Sequence, residues 1–302
     1  MNRVAIFGGL GNQMFQYALA IVMEANGIPT KISVTEYLLN RHHQGFELLK
    51  AFNVPIPIRD RIKVFAISRA RQVLVNVNTI YFRQMLTKIL HSGNNIFHEA
   101  KEYTYDKRVF EQENSFLIGT WQCIKYFESQ KELIREVFNF NKPGDTLNLR
   151  IANEIQSKNS IAVHVRRGDF TTPGMSNSRM VIDSNSYYDK AIELMNMTIE
   201  NPVFYIFSDD ITWAKQRLKG SNIVFISHNT GSNSYLDMYL MSLCKHFVIA
   251  NSSFSWWAAW LAENKDKKVF MPRPWVKNAD CSGLYPSGWS VLEANPSKVE
   301  LV

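Results

Sequence analysis

Short apolar runs alternate with amphipathic stretches through the second half of the chain. Strands are predicted at 161–165, 203–207, 222–226, 246–250 and 269–271, and helices between them at 186–198, 211–218, 235–244 and 255–263. This alternation is typical of a doubly wound parallel sheet, because each helix carries the chain back so that the next strand runs in the same direction. The pattern therefore predicts a Rossmann-like C-terminal domain.

The first half of the chain is less regular but also has an α/β pattern. A strand at 3–7, a glycine-rich segment at 8–13 and a helix at 14–26 predict the opening of a nucleotide-binding-like unit. Further strands are predicted at 30–34 and 115–119, and a helix at 127–138. The polar segment 139–145 contains Pro and Gly, so we predict domains at 1–145 and 146–302.

Polar residues follow the predicted strands of the second domain. Because the carboxyl ends of parallel strands meet at one edge, where open α/β sheets bind ligands, we expect these residues to line one crevice. Two adjacent arginines at a strand end predict an anionic ligand, a phosphate or a carboxylate. The strand ends carry these sets: His164, Arg166, Arg167 and Asp169; Ser208, Asp209 and Asp210; Ser227, His228 and Asn229; and Asn251, Ser252 and Ser253.

The segment 251–257 predicts a strand-to-helix turn with hydroxyl groups at the start of the helix. Such a turn can hold phosphate through its unpaired backbone N–H groups, and the alternative is an ordinary serine N-cap. Together with the arginines, it favours a diphosphate. Asp209 and Asp210 are compatible with a metal or with a nucleoside, and we favour the nucleoside because no third oxygen ligand lies at a suitable spacing.

Composition and charge narrow the class of protein. The 302 residues are 46% hydrophobic and 20% charged, and no run reaches the ~18 apolar residues that span a bilayer. The N-terminus does not resemble a signal peptide, so we expect a cytoplasmic protein. Three widely spaced cysteines predict free thiols. No known nucleic-acid module accompanies the net charge of +7, so we expect no nucleic-acid partner.

The positive charge is concentrated in one segment, 59–88, called the basic segment below. Apart from Asp60, its charged residues are all basic: Arg59, Arg61, Lys63, Arg69, Arg71, Arg83 and Lys88. A solvated helical face is one interpretation. The other is peripheral contact with an anionic membrane surface, which would attract such a segment.

Segments along most of the chain occur in an order that resembles the α-1,2-fucosyltransferases of glycosyltransferase family 11. They are residues 8–18, 164–169, 207–210 and 251–257, with 274–275 and 285–289 near the end. Residues 55–115 carry no matching motif. Eukaryotic members of the family have an N-terminal membrane anchor, and this chain begins directly at the catalytic domain, so we expect a bacterial enzyme of carbohydrate metabolism. We expect it to be membrane-associated through the basic segment.

The resemblance implies inverting transfer of L-fucose from GDP-fucose to the 2-hydroxyl of a terminal galactose, in glycan or O-antigen biosynthesis. It implies no metal or other cofactor, and a GT-B-like fold with an acceptor-side N-terminal domain facing a C-terminal domain that binds the GDP-sugar. Two alternatives stay open: a non-catalytic nucleotide- or sugar-binding α/β protein, and a transferase for another GDP-sugar. A dinucleotide-dependent oxidoreductase is disfavoured, since Met14 replaces the third glycine of that fingerprint.

The resemblance also assigns roles to residues. Arg166 is expected to stabilise charge on the departing diphosphate, Asn12 to lie near the reacting carbon, and Asp169 to support an arginine. The general base is unresolved among Glu47, His42 and Asp183. Donor binding is expected of Gly9, Gly11, Gln13, His164, Arg167, Asp209, Asp210, Asn251, Ser252, Ser253, Phe254 and Ser255.

Overall fold

The computed structural model describes residues 1–34, 37, 45–56, 61–62, 64–66, 95–167 and 185–294. The chain divides into two compact units: unit 1 is Met1–Asn141 with Ser282–Tyr285, and unit 2 is Lys142–Cys281 with the residues from Pro286 onward. This division and the predicted boundary after residue 145 both fall in the polar segment 139–145. The return of Ser282–Tyr285 to unit 1 was not predicted.

Unit 1 is built on a four-stranded sheet with the order β2-β1-β4-β3, in which all neighbouring strands are parallel. The strands are β1 (Asn2–Ala5), β2 (Thr30–Ser33), β3 (Asn95–His98) and β4 (Ser115–Ile118). The helices are α1 (Leu10–Ala25), α2 (Leu48–Ala51) and α3 (Lys131–Val137). Single 3-10 turns lie at Lys107–Glu111, Ile124–Tyr126, Glu128–Gln130 and Ser282–Leu284.

Unit 2 is built on a six-stranded sheet with the order β10-β9-β8-β5-β6-β7, again parallel throughout. The strands are β5 (Asn159–Val165), β6 (Pro202–Ser208), β7 (Ile223–Ile226), β8 (His246–Val248), β9 (Val269–Arg273) and β10 (Ser290–Glu293). The helices are α4 (Thr146–Ser157), α5 (Asn185–Thr198), α6 (Ile211–Arg217), α7 (Tyr235–Ser242) and α8 (Ser253–Leu261), with a 3-10 turn at Gly231–Asn233.

The direction of strand addition in unit 2 reverses between β5 and β8. The chain adds β6 and β7 on one side of β5, and then adds β8, β9 and β10 on the other side. At such a reversal the two connections leave in opposite directions and open a crevice at the carboxyl ends of the strands, which is where sheets of this kind bind ligands. The ends of β5 and β8 lie at this topological switch point.

Side chains of β5 alternate between two covered faces of the sheet. Ile161 and Val163 belong to the same buried cluster as Tyr187 and Ala191 of α5. His164 points to the opposite face, where its ring centroid lies 5.8 Å from that of Phe254 in α8. Helices therefore pack on both faces, which explains the continuous apolar sequence of β5. The predicted α/β class is confirmed, because each unit is built on a parallel sheet and the C-terminal sheet is doubly wound.

Four of the helices and strands given above were not predicted from the sequence: β3, α2, α4 and β10, of which α2 is a single turn. Strands β3 and β10 are short and mostly exposed, so they carry little apolar signal. Helix α4 begins at Thr146, directly after the segment 139–145 that was assigned to the domain boundary. Asp145 is its N-cap, and its carboxylate accepts the backbone N–H of Asn148 at 2.8 Å.

Several predicted features lie wholly or mostly outside the described residues. Asp169, His42 and Asp183 are among them, and of the basic segment only 61–62 and 64–66 are described. Within the described part of the chain, no helix has the length and apolar character needed to cross a membrane. Cys123, Cys244 and Cys281 are buried free thiols.

Candidate functional site

Asp209, at the end of β6, holds Arg166, at the end of β5. Nη1 of Arg166 lies 3.0 Å from Oδ2 of Asp209, and the guanidinium side chain stays 29% exposed. The other carboxylate oxygen, Oδ1, accepts the backbone N–H of Arg167 at 2.8 Å. A carboxylate that accepts from a side chain and from the backbone at once fixes both the strand end and the guanidinium. Arg166 therefore presents an oriented positive charge at the switch point.

Arg167 is engaged differently from its neighbour. Its Cζ lies 4.3 Å from the ring centroid of Trp213, a cation–π contact, and its Nε lies 3.6 Å from Oδ2 of Asp210. Asp210 is also the N-cap of α6, since its Oδ1 accepts the N–H of Trp213 at 3.0 Å. These contacts join β5 to α6. Trp213 was not predicted as a site residue, because the sequence does not distinguish one aromatic residue in a short helix from a core residue.

His164 is buried and electrically neutral at physiological pH. Burial, and secondarily the charge of Arg166, lower the pKa of the imidazole to about 3. The side chain is 5% exposed, and the backbone carbonyl accepts the hydroxyl of Tyr188 at 3.1 Å. His164 therefore contributes packing against Phe254 rather than positive charge for a phosphate.

Helix α8 begins beside the end of β8, two residues earlier than predicted, at Ser253. Its N-cap residue is Ser252, whose side chain makes no capping hydrogen bond. The alternative interpretation of this turn as an ordinary serine N-cap is therefore wrong. Asn251 and Ser255 are buried and bond locally: Asn251 Nδ2 donates to the carbonyl of Trp275 at 2.9 Å, and Ser255 Oγ donates to the carbonyl of Ser252 at 3.2 Å. The backbone N–H groups of the first turn and the helix dipole favour an anion there.

The polar residues after β7 bond within the fold. Asn148 of α4 contacts both His228 and Asn229. Its Oδ1 lies 3.0 Å from Nε2 of His228 and accepts a hydrogen bond from Nδ2 of Asn229, also at 3.0 Å. Asn229 Nδ2 also donates to Asp237, whose pKa is raised to about 7 by burial. These contacts join the end of β7 to α4 and α7. The side-chain nitrogens of His228 and Asn229 therefore bond to neighbouring helices, and the expectation that they face the crevice is wrong for these atoms.

In unit 1, the glycine-rich segment brings the backbone close to Asn12. Gly8 has a φ of 80°, and a Cβ added to it would lie 2.8 Å from Nδ2 of Asn12. Both the backbone conformation and the close side chain therefore favour glycine at this position. On its other side, Asn12 Oδ1 accepts Nε2 of Gln122 at 3.1 Å. Gly9 is the N-cap of α1, and Gly11 is buried in its first turn. Asn12 is thus held in a fixed position at the start of α1.

The amide of Gln13 is committed to backbone groups. Its Nε2 donates to the carbonyls of Gly8 at 3.0 Å and Gly45 at 2.8 Å, and its Oε1 accepts the N–H of Glu47 at 2.9 Å. This arrangement supports a positioning role for Gln13, and its predicted contact with the donor stays a prediction. Gln122, the partner of Asn12, was not predicted, because the order of residues does not reveal a hydrogen bond between side chains 110 positions apart.

Glu47 is 4% exposed, and its carboxylate accepts the backbone N–H of Leu10 at the start of α1. Burial raises the pKa of this carboxyl to about 7, although Lys50 and the Leu10 hydrogen bond act in the opposite direction. Of the three predicted candidates for a general base, Glu47 is the one that the structure describes. Among the described residues, no group of His, Cys, Asp and Glu could hold a metal ion.

Comparison with known proteins agrees with the predicted resemblance. The model of glycosyl transferase family 11 matches residues 1–289. The O-antigen biosynthesis glycosyltransferase WbnK of Escherichia coli is 31% identical over 299 residues, which cover 93% of this chain and 97% of that protein. The alpha-1,2-colitosyltransferase of Escherichia coli is 31% identical over 289 residues, which cover 92% of this chain and 93% of that protein.

More distant proteins match with lower identity. Galactoside alpha-(1,2)-fucosyltransferase 1 of Lagothrix lagotricha is 27% identical over 154 residues, which cover 44% of this chain and 41% of that protein. The crystal structure of NodZ alpha-1,6-fucosyltransferase soaked with GDP-fucose is 15% identical, with a TM-score of 0.47, and the match covers 86% of this chain and 92% of that one. The family match extends over nearly the whole sequence and includes both units: the chain belongs to glycosyl transferase family 11.

Proposed function

We propose that the protein transfers L-fucose from GDP-fucose to the 2-hydroxyl of a terminal galactose on an oligosaccharide, with inversion at the anomeric carbon, in glycan or O-antigen biosynthesis. Family membership supports a glycosyltransferase, and the names of relatives support a fucosyl donor and a 1,2 linkage. The observation that carries the proposal is the position of Arg166 and the start of α8 at neighbouring strand ends of the switch point. Both features attract the diphosphate of a nucleotide sugar.

Arg166 has the main electrostatic role in this proposal. As the bond between the sugar and the diphosphate breaks, negative charge grows on the departing GDP, and a donor already in place stabilises it without reorganisation. Asp209 keeps the guanidinium in place. Removing such a donor costs roughly 3 kcal/mol of barrier, so Arg166→Ala should lower kcat by roughly 100-fold or more. Arg217→Ala, which removes an arginine from the pair with Asp189, is the matched control and should retain transfer.

The proposal needs no metal, because Arg166 and the first turn of α8 supply the positive charge. The test is incubation of the protein with GDP-fucose and a galactose-terminated oligosaccharide in the presence of EDTA, with the linkage of the product determined by NMR. We expect an α-1,2-fucosylated product at the same rate with and without chelator. Loss of activity in EDTA that added Mg²⁺ or Mn²⁺ restores would overturn the metal-free part.

The same assay separates the alternatives. No fucosylated product over a broad acceptor panel, together with no binding of GDP by calorimetry, would contradict the proposed function. Binding of GDP without transfer to any acceptor would instead indicate a non-catalytic nucleotide-binding protein.

A second donor is favoured by a specific relative, the alpha-1,2-colitosyltransferase at 31% identity. Colitose differs from L-fucose by the absence of the 3-hydroxyl, so a pocket that binds this hydroxyl would discriminate between the two sugars. The measurement is kcat/KM for GDP-fucose and GDP-colitose with one acceptor. We expect the larger value for GDP-fucose, and a larger value for GDP-colitose would replace the fucosyl donor while leaving the transferase in place.

We also propose a cytoplasmic location with peripheral attachment of the basic segment to anionic membrane. In its described part, Ile62 and Phe65 are 63% and 66% exposed, and apolar side chains beside basic residues suit the membrane interface. Sedimentation with phosphatidylglycerol vesicles should exceed sedimentation with phosphatidylcholine vesicles, and replacement of both residues by Ser should weaken it. Equal sedimentation with the two lipids would refute the attachment.

A further inference from the structure

We propose that Glu47 is the general base of the transfer reaction, whose carboxylate takes the proton from the attacking hydroxyl of the acceptor. This inference rests on the proposed function, because it presumes transfer to a hydroxyl group. It goes further by assigning the proton acceptor, which neither the family match nor the names of relatives identify.

Glu47 is held against the first turn of α1 by one bond of its side chain and one of its backbone. Its carboxylate accepts the N–H of Leu10, and its own N–H donates to Oε1 of Gln13 at 2.9 Å. Gln13 Nε2 also fixes the carbonyl of Gly45 at 2.8 Å, so the chain just before Glu47 is tied to the same helix. The carboxylate therefore has a defined position rather than a flexible one, as a catalytic group requires.

This position lies at the ligand-binding edge of the unit 1 sheet. Helix α1 follows β1 directly, so its first turn stands at the carboxyl end of a strand in a parallel sheet. The same turn carries Asn12, which Gly8 and Gln122 hold in place. Glu47 thus lies beside the residues that the family motif provides at the start of the chain.

The environment of Glu47 leaves it able to accept a proton. A carboxylate can accept several hydrogen bonds, and the N–H of Leu10 uses one of them. Among the described residues, Glu47 forms none of the ion pairs, and the nearby charge of Lys50 lowers its pKa less than burial raises it. The first turn of α1 contributes no titratable side chain, and α2 contributes Lys50. Burial gives Glu47 a pKa of about 7, near the ambient pH, where a general base is most effective.

Glu99 shows how a structural carboxylate of the same unit differs. Its Oε2 accepts three donors: the N–H of Thr120 at 2.7 Å, the hydroxyl of Thr120 at 3.2 Å and the N–H of Trp121 at 3.1 Å. Burial also raises the pKa of Glu99. Glu99 is partly buried and stabilises the turn after β4 through these hydrogen bonds, which makes it a control for a glutamate without a catalytic role.

The proposed step balances without any further reagent. The O–H bond of the acceptor breaks, and its proton passes to the carboxylate of Glu47. The acceptor oxygen forms a bond to the anomeric carbon of the donor sugar, the bond from that carbon to the diphosphate oxygen breaks, and the electron pair leaves with GDP. The protonated Glu47 then returns its proton to solvent.

The test compares Glu47→Gln with Glu99→Gln in the full-length protein. Gln keeps the size of the side chain and an acceptor for the N–H of Leu10, so the fold should persist, which circular dichroism checks. We expect Glu47→Gln to lower kcat by roughly 100-fold or more with KM values for donor and acceptor changed by less than about threefold, and Glu99→Gln to keep a near-normal kcat.

The pH dependence distinguishes a base from a merely structural residue. Wild-type kcat/KM should fall about tenfold per pH unit below a pKa near 7, because protonated Glu47 cannot accept a proton, and the residual activity of Glu47→Gln should lack this acidic limb. Formate should restore part of the transfer lost in Glu47→Ala. A kcat for Glu47→Gln within about threefold of wild type, or persistence of the acidic limb in that variant, would overturn the assignment. Failure of the wild-type protein to form product would instead count against the proposed function.

Discussion

Replacement of Glu47 by Gln should stabilise unit 1 at alkaline pH, although it should abolish most of the activity. Burial raises the pKa of Glu47 from 4.5 to about 7, so the folded state binds the proton more tightly than the unfolded state does. The resulting contribution to stability is fully present below the unfolded pKa of 4.5 and is lost as the pH rises through about 7. Above that pH the fold carries a buried carboxylate in its charged form.

The magnitude follows from the size of the shift. A change from 4.5 to about 7 corresponds to about 3 kcal/mol, since each pKa unit represents 1.36 kcal/mol. Glu47 is 4% exposed, so screening by solvent does not reduce this value substantially. The neutral Gln does not titrate, and the advantage of the variant over wild type should therefore grow by about 3 kcal/mol between pH 4.5 and pH 8.

Native-state hydrogen exchange of amides in α1 measures this difference within unit 1 and separates it from unfolding of unit 2. The free energies of opening for wild type and Glu47→Gln are compared over the pH range, with Glu132→Gln as a control. Glu132 has a side chain that is 81% exposed, so its replacement should change the opening free energy little at any pH. An advantage of Glu47→Gln that does not grow between pH 4.5 and pH 8 would refute the reasoning.

Two further substitutions test the framework of the site. Asp209→Asn removes the charge that orients Arg166 and should lower kcat roughly tenfold, with a stability change below about 1 kcal/mol. Asp189→Asn, which breaks the ion pair with Arg217 instead, should leave kcat unaltered. Gly8→Ala places a Cβ at a φ of 80° and 2.8 Å from an amide nitrogen, and should cost about 1–2 kcal/mol in urea unfolding. Gly144→Ala places its Cβ where no atom lies within 4 Å, so it should lower the free energy of unfolding much less. Equal losses of unfolding free energy in the two variants would contradict backbone strain at Gly8.

The fold of unit 2 was predictable because its strands are buried on both faces. The predicted strand 161–165 lies within the observed Asn159–Val165, and the predicted helix 186–198 lies within Asn185–Thr198. In these elements the apolar period is clear in the sequence. In α4 the two signals conflicted: Asp145 next to Pro143 and Gly144 has the composition of a loop, yet its carboxylate caps a helix.

The candidate site was predictable in its positions but not in its pairings. The sequence places Arg166 and Asp209 at strand ends, and the bond between them depends on β5 and β6 being neighbours, which the order of elements along the chain does not determine. The sequence assigned Asp209 to the guanosine, and the structure gives it a contact with Arg166 instead. This contact does not exclude one with the nucleoside, which stays a prediction.

The energetics of Glu47 bear on why this carboxylate is present at all. A Gln at this position could accept the same N–H of Leu10 without the cost of about 3 kcal/mol that ionisation of a buried carboxyl carries. That cost is a large fraction of the 5–15 kcal/mol that typically stabilises a folded domain. Local structure therefore gives no reason to prefer Glu over Gln, whereas proton transfer does, because only the ionisable group can accept and release a proton. The stability penalty and the catalytic assignment thus follow from the same property, the raised pKa, and the Glu47→Gln variant should show both effects in opposite directions.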